Sequence, residues 1–253
     1  MKEKLYTIEL TDALHAGDEC MFCWLNRKLE RENLEFVLGS SYMESDTRDR
    51  TDRQGFCQRH TKMMYQYGNS LGNGWILKSR LEYLRKGLGQ QTASCPSGKK
   101  GGFLGSFKKT GKSGDSALAS WIREQDQGCY ICGRMKEIYE RMLDTFVYLI
   151  RNDEKFREAL MKSKGFCLPH FADVLDICEE KMSAEEKNQW ISALSELMEQ
   201  NLERIQKDVD WLIEKYDYRN RDADWRQSED AVQRSMQKIA GGYPADPPFQ
   251  CKR

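Results

Sequence analysis

The chain has 253 residues, and its 40 lysines and arginines are balanced by 40 aspartates and glutamates. This balance argues against the broad basic surface with which proteins bind phosphate backbones, so a nucleic-acid partner is not favoured. The N-terminus lacks the apolar core of a signal peptide and no run approaches the ~18 apolar residues of a membrane span, so we expect no transmembrane segment and a cytoplasmic location.

The helical spacing of apolar residues predicts three helices in the first part of the chain. The first helix follows Cys23 and stops near Gly39, a residue typical of helix C-termini. The second follows His60, and the third covers Trp75–Leu88. An alternating apolar and polar pattern, which is typical of strands, is confined to Leu5–Leu10.

In the second part of the chain, helices are predicted from Cys132 to Ile150 and after His170. Pro169 suits the first position of the latter helix, where no N–H is needed. The longest predicted helix runs from Ser183 to about Tyr216, and its start carries a capping-box pattern. We predict that this long helix braces both halves of the molecule.

These elements predict an all-α fold made of two tandem helical repeats. We place the first half at residues 1–88 and the second at residues 116–241. Residues 89–115 are rich in Gly, Ser and Lys, a composition typical of a flexible linker. Residues 242–253 contain three prolines and are predicted to form a tail.

Eight of the twelve cysteines and histidines form two copies of one pattern, CxxC followed by GFCxxH. The CxxC motifs are 109 residues apart and the CxxH motifs 110 residues apart. Each copy is typical of a Cys3His metal site, and we predict two sites, each with all four ligands from one repeat. Exchange of ligand pairs between the repeats is the alternative. The predicted ligands are Cys20, Cys23, Cys57, His60, Cys129, Cys132, Cys167 and His170.

Three thiolates and one imidazole fill a tetrahedral shell around Zn²⁺, which leaves a single net negative charge and no position for a water nucleophile. Such closed sites are structural and most often hold zinc, so two zinc ions per chain are predicted. The same ligands can instead hold an iron–sulfur cluster. Gly55 and Gly165 precede the Phe-Cys pairs and indicate turns with positive φ, and Phe56 and Phe166 are predicted to shield the sites or pack in the core.

Nine cysteines in a reducing compartment are better explained as metal ligands and free thiols than as disulfides. A thioredoxin-like role for either CxxC would need a βαβ context, which the helical pattern does not provide. Four residues lie outside the motifs. Of these, His15 is predicted at the surface, Cys178 in the core and Cys95 as an exposed thiol, while Cys251 falls in the tail.

Together with these motifs, the segments KYDYRNRDADW at 215–225 and SEDAVQRSMQKIAG at 228–241 carry a family resemblance. The chain resembles an uncharacterised bacterial family that is catalogued as a domain of unknown function. The resemblance covers nearly the whole chain and implies no activity. It does imply that the aromatic and charged segment at 215–225 belongs to the folded unit.

The sequence therefore predicts a metal-binding helical protein with two structural zinc sites that acts as a binding or scaffold module for an unknown protein partner. The alternatives are an iron–sulfur or thiol-based redox protein and a metal or thiol sensor. No catalytic residue is predicted. Whether the chain is an enzyme stays open, and a non-enzymatic role is favoured.

Overall fold

The structure, a computed structural model, describes residues 4–94 and 117–243. These residues form helices and turns without strands, which confirms the predicted all-α fold class. The alternating segment Leu5–Leu10 is no exception, because it runs into the first helix. The α-helices of the described residues are α1 (Thr7–His15), α2 (Met21–Gly39), α3 (Ser45–Gln54), α4 (Gln58–Tyr67), α5 (Ser70–Ser94), α6 (Ala117–Gln127), α7 (Tyr130–Asn152), α8 (Glu154–Met161), α9 (Leu168–Lys181), α10 (Ala184–Lys215) and α11 (Ala231–Ala240).

The predicted helix starts are confirmed at every motif. Helices α2, α4, α7 and α9 each begin one residue after the first cysteine of a CxxC or CxxH motif. The capping box of α10 is also present: Ser183 Oγ accepts the Glu186 N–H at 3.4 Å, and the Glu186 carboxylate accepts the Ser183 N–H at 3.0 Å. Local sequence signals therefore set the ends of these helices.

The predicted linker begins later than the composition indicates. Helix α5 starts before Trp75 and continues to Ser94, so residues 89–94 are helical rather than part of a linker. Helix α6 was not predicted; its Trp121 side chain lies where a Cβ on Gly87 would be, at 2.4 Å. Residues 95–116 and 244–253, which include Cys95 and Cys251, lie outside the described residues.

The described chain divides into two compact units whose boundaries fall inside α2 and α7. Unit 1 contains residues 1–31 and 135–247, and unit 2 contains residues 32–134. The units thus cut the chain differently from the sequence halves at 1–88 and 116–241. That these halves are structural repeats stays a prediction.

Unit 1 has an aromatic centre formed by Phe22, Phe146 and Phe166, which are fully buried. Their ring centroids lie 5.7 to 5.9 Å apart, a range in which each aromatic pair adds about 0.5–1.5 kcal/mol beyond area burial. Cys178 is buried in the same core, as predicted. Phe22 lies inside the first CxxC motif and Phe166 directly precedes Cys167, so the core holds two ligand segments together.

The long helix α10 packs on α9 and α11 within unit 1. Its Arg204 also reaches the carboxylate of Glu19 at 2.5 Å, just before the first CxxC motif. The helix thus contacts segments of both sequence halves, as the predicted brace requires. At its C-terminal end, Trp211 donates to the backbone oxygen of Asp224 and Arg226 covers the Trp211 ring, so the 215–225 segment is folded against α10.

In unit 2, helix α5 packs on α3, α4 and α6. The buried Arg80 side chain of α5 links two of these neighbours, because it donates to the backbone oxygens of Asp52 in α3 and Gln125 in α6. Ser79 adds a hydrogen bond to the Asp52 carboxylate at 2.8 Å. Among the described residues of both units, none of the helices combines the length and apolarity needed to cross a membrane.

Candidate metal centres

The first group of ligands, the buried cluster, consists of Cys20, Cys23, Cys167 and His170 in unit 1. The three cysteines are at most 1% exposed. Nδ1 of His170 lies 3.3, 3.5 and 3.1 Å from the sulfurs of Cys20, Cys23 and Cys167, and the sulfurs of Cys23 and Cys167 are 3.6 Å apart. Four ligand atoms thus converge on one point.

The second group, the partly exposed cluster, consists of Cys57, His60, Cys129 and Cys132 in unit 2. Nδ1 of His60 lies 3.3, 3.2 and 3.4 Å from the sulfurs of Cys57, Cys129 and Cys132. His60 is buried, whereas Cys57 and Cys129 are half-buried and Cys132 is exposed. The two clusters therefore have the same ligand types and different access to solvent.

The prediction that each sequence half supplies all four ligands of one site is wrong. Each cluster combines the CxxC of one sequence half with the CxxH of the other half. The physical reason lies in the packing: the Phe22 ring inside the first CxxC stacks on Phe166 beside the second CxxH at 5.8 Å. In unit 2, the N–H of Tyr130 in the second CxxC donates to the backbone oxygen of Gly55 at 3.0 Å. Exchanged pairing, the alternative, is the observed arrangement.

The spacing of the ligand atoms matches a tetrahedron around a single metal ion. With a Zn–S bond of about 2.3 Å and a Zn–N bond of about 2.0 Å, the edges of such a tetrahedron are about 3.8 Å between sulfurs and about 3.5 Å between sulfur and nitrogen. In both clusters the ligand atoms lie within 4.8 Å of one another. Each cluster can therefore hold a metal ion without large movement.

Two helix N-termini point at each cluster. The buried cluster lies at the starts of α2 and α9, and the partly exposed cluster at the starts of α4 and α7. Unpaired N–H groups and the positive end of the helix dipole stabilise thiolates at such positions. One of these contacts is direct, since the Cys132 N–H donates to the Cys129 sulfur at 3.5 Å.

The glycine before each Phe-Cys pair is confirmed as a turn with positive φ. Gly55 has φ of 63° and Gly165 has φ of 71°. Space is also limited, because a Cβ would lie 3.0 Å from Arg80 in the first case and 3.0 Å from Met198 in the second. Both reasons favour glycine, which turns the chain so that the next cysteine begins a helix at the cluster.

Negative charge is divided unevenly among the thiols of the buried cluster. Burial raises the pKa of the Cys20 thiol, but hydrogen bonds with Cys167, Cys23 and His170 lower it more, so the net pKa is well below the ordinary value. The pKa of Cys23 is raised by its contacts with the other two sulfurs. Burial lowers the pKa of His170, but hydrogen bonds with Cys167 and Cys20 raise it to about 10. Three thiolates so close together repel one another unless a metal ion lies between them.

The partly exposed cluster divides its charge in a similar way. Burial raises the pKa of Cys129, but hydrogen bonds with His60 and with backbone N–H groups lower it more, to about 6. Burial, followed by the charge on Cys129, raises the pKa of Cys132 to about 12. A divalent metal ion would offset this repulsion and allow all three sulfurs to ionise.

Groups behind the buried cluster orient His170. The Asn26 side-chain amide lies 3.0 Å from Nε2 of His170. The Asn26 atom that faces the ring is Nδ2. A metal ion on Nδ1 would leave the imidazole proton on Nε2, and the Asn26 amide would then turn by about 180° so that its oxygen accepts that proton. The Tyr139 ring lies 5.6 Å from the His170 ring, and its hydroxyl donates to Asp173 at 2.7 Å. These contacts hold the plane of the His170 ring.

Phe166 both shields the buried cluster and belongs to the core, so the two predicted roles coincide. It stacks on Phe22 and on Phe171, with centroids 5.8 and 6.2 Å apart. Phe56, its counterpart in the other cluster, is half-buried. His15, at the end of α1, is exposed and belongs to neither cluster.

Three functional positions were missed in the sequence. Asn26 follows Cys23 by one helical turn, and Phe22 lies inside the CxxC motif, so helical spacing was a usable signal for both. Gly128, directly before the second CxxC, was a weaker signal. A Cβ on Gly128 would lie 2.3 Å from the backbone oxygen of Gln54, so only glycine allows this approach.

We expect Gly128→Ala to destabilise unit 2 by about 1–3 kcal/mol, because backbone atoms must move to relieve the contact. The measurement is urea unfolding together with metal retention by the partly exposed cluster. Gly133→Ala is a matched control in α7: its Cβ would meet nothing closer than 3.9 Å, and alanine favours a helix by about 1 kcal/mol. Equal stability of the two variants would contradict the close approach at Gly128.

Comparison with known protein families matches residues 1–246 to a family of unknown function, DUF6062. The chain belongs to the DUF6062 family. Comparisons with curated proteins and with solved structures found no match. The family assignment agrees with the resemblance seen in the sequence, and it adds no activity, so the function of this DUF6062 chain has to be argued from its two clusters.

Proposed function

We propose that this protein is a cytoplasmic metal-binding module with two structural zinc ions, which holds its helices in a fixed arrangement for a protein partner. The observation that carries the proposal is the convergence of three thiols and one imidazole within 4.8 Å in each cluster. A Cys3His set closes the tetrahedral shell of zinc and leaves no open position for a substrate. Zinc in such a site stabilises a fold rather than activating water.

The compact ligand geometry supports a single ion over an iron–sulfur cluster. In a cluster with several irons, cysteines bind different irons and their sulfurs lie farther apart than around one ion. Here the closest sulfur–nitrogen distance is 3.1 Å and a sulfur–sulfur distance is 3.6 Å. These distances are close to the edges of a tetrahedron around one metal ion, which supports a single ion in each site.

The test is elemental analysis with the visible spectrum of anaerobically purified full-length protein. We expect two zinc ions per chain and no visible absorption, because Zn²⁺ has a filled d shell. Iron and sulfide in the elemental analysis, together with a broad brown absorption, would show that the sites hold an iron–sulfur cluster and would refute the zinc proposal. Less than one metal ion per chain in carefully prepared protein would refute metal binding at both clusters.

A metal or thiol sensor is the second candidate, and the exposure of Cys132 favours it. A sensor needs a metal ion that leaves and returns while the rest of the fold persists. The exposure of Cys132 supports release of the metal ion from the partly exposed cluster, because chelators and oxidants can reach this residue. The buried cluster can preserve the fold of unit 1 at the same time.

A further inference from the structure

Helix α11 has its polar face turned inward. Its buried positions include Gln237 and Lys238, which are 0% and 1% exposed. Its exposed positions include the large apolar side chains of Val232, Met236 and Ile239, with Gln233 as the polar exception. A helix at a protein surface normally buries the apolar face instead. The buried charge of Lys238 therefore needs compensating partners inside unit 1.

The Lys238 ammonium group has three acceptors. It donates to the backbone oxygens of Glu19 and Lys164, both at 2.6 Å, and lies 3.4 Å from the Glu19 carboxylate. An ammonium group has three N–H donors, so this set matches its charged form. Each N–H donor of the Lys238 ammonium group therefore has an acceptor.

Both backbone acceptors belong to segments that carry ligands of the buried cluster. Glu19 directly precedes Cys20, and Lys164 lies three residues before Cys167. The end of α11 also approaches the cluster, since a Cβ on Gly241 would lie 3.4 Å from the Cys167 sulfur. Lys238 therefore hydrogen-bonds to the segments that precede both ligand pairs of the buried cluster.

The net charge of the side chains around Glu19 is opposite to the net charge of a metal-bound cluster. Four cationic side chains face three carboxylates, which leaves one positive charge. The cations are Lys164, Arg204, Arg234 and Lys238, and the carboxylates are Glu19, Asp208 and Asp230. A divalent ion with three thiolates and one imidazole carries one negative charge, and a buried net charge is costly unless it is paired.

We propose that Lys238 is the counter-ion of the buried cluster, and that its charge holds a divalent metal ion in the Cys3His site. The inference rests on the metal-binding function proposed above. Lys238 touches no metal and is a positioning residue. Among the cations around Glu19 it is the most buried, at 1% side-chain exposure against 43% for Lys164, so solvent screens its charge least.

The test uses Co²⁺ as the probe in full-length protein carrying Lys238→Gln, which keeps hydrogen-bond donors and removes the charge. We expect Co²⁺ affinity of the buried cluster to fall about 10- to 100-fold, as for other outer groups that support metal ligands. The sulfur-to-cobalt charge-transfer band should move to longer wavelength, because the cation no longer stabilises the sulfur electrons. The affinity of the partly exposed cluster should not change.

Two further variants sharpen the test. Lys164→Gln is the matched control, which removes a more exposed cation from the same carboxylate and should change affinity less than about fivefold. Lys238→Arg keeps the charge and should restore the band position. Circular dichroism and loading of the partly exposed cluster show that each variant is folded.

The proposal is overturned if Lys238→Gln binds Co²⁺ as the Lys164→Gln control does. It is also overturned if Lys238→Gln loses affinity while the charge-transfer band stays in place, since that result describes a purely structural lysine. Wild-type protein that takes up no Co²⁺ in the buried cluster would refute the metal site itself, and the role of Lys238 with it.

Discussion

Replacing Cys20 and Cys167 together by serine should leave one metal ion per chain, whereas replacing Cys20 and Cys57 together should leave none. The first pair belongs to one cluster, so the second substitution removes nothing more. The second pair belongs to two clusters, and each loses a thiolate that the other ligands cannot replace. Elemental analysis of the purified variants decides between these counts.

The free energy of unfolding should also depend on whether the two substituted cysteines belong to one cluster or to two. Loss of a buried structural metal is among the few single changes that cost about 4 kcal/mol or more. Cys20→Ser should therefore destabilise unit 1 by about this amount, and adding Cys167→Ser should cost little more because the two changes share one site. Cys20→Ser and Cys57→Ser should instead add, since the sites lie in different units. Urea unfolding of the single and double variants measures the coupling.

Pairing within each sequence half would give the opposite result: one metal would stay in the Cys20 and Cys57 double variant, and none in the Cys20 and Cys167 variant. Cys178→Ser is the control for loss of a buried thiol. Cys178 is 0% exposed and lies in neither cluster, so this variant should keep both metal ions.

The starts of α2, α4, α7, α9 and α10 could be predicted from the sequence because their causes are local. The signals are the motif cysteine before α2, α4, α7 and α9, Pro169 in the first turn of α9 and the capping box at Ser183, and all of them act within a few residues. The eight candidate ligands were selected on a local signal too, since the two motif copies have matched spacing, and their role as ligands stays a prediction. Local patterns also placed Gly55 and Gly165 in turns with positive φ.

The pairing of the motifs could not be predicted, because it depends on contacts between residues about 145 positions apart, such as Phe22 and Phe166. The spacing of ligands along the chain fits either pairing equally well. Lys238 was missed for a related reason. A sequence in which polar residues face one side of a helix predicts that this side is exposed, and only the tertiary structure places Glu19 and the cluster beneath it.

The end of α5 was misjudged for a different reason. Glycine and lysine near residue 88 indicate a linker by composition, yet the helix continues through Ser94. Tertiary packing overrides the weak helix propensity of glycine there, because Gly87 gives the Trp121 ring of α6 room to approach. A composition-based boundary cannot register a contact made by a residue 34 positions away.

A chelator should remove the two metal ions in separate phases, the first from the partly exposed cluster. Cys132 is exposed, whereas the buried cluster has its three cysteines at no more than 1% exposure. Release from the buried cluster therefore requires local opening of unit 1, and each additional ~1.4 kcal/mol of opening free energy slows release tenfold. We expect at least about a tenfold difference in rate, measured with a chromogenic chelator.

Two variants assign the phases. Cys132→Ser should retain only the slow phase, because it disables the partly exposed cluster, and Cys20→Ser should retain only the fast phase. Equal release rates in these variants would contradict the contrast in exposure. If zinc added after the fast phase rebinds and the circular dichroism spectrum of the chain is unchanged throughout, the partly exposed cluster has the reversibility that a sensor needs. If the fold is lost with the first ion, the metal ion of the partly exposed cluster is structural, and a sensor role for that cluster is refuted.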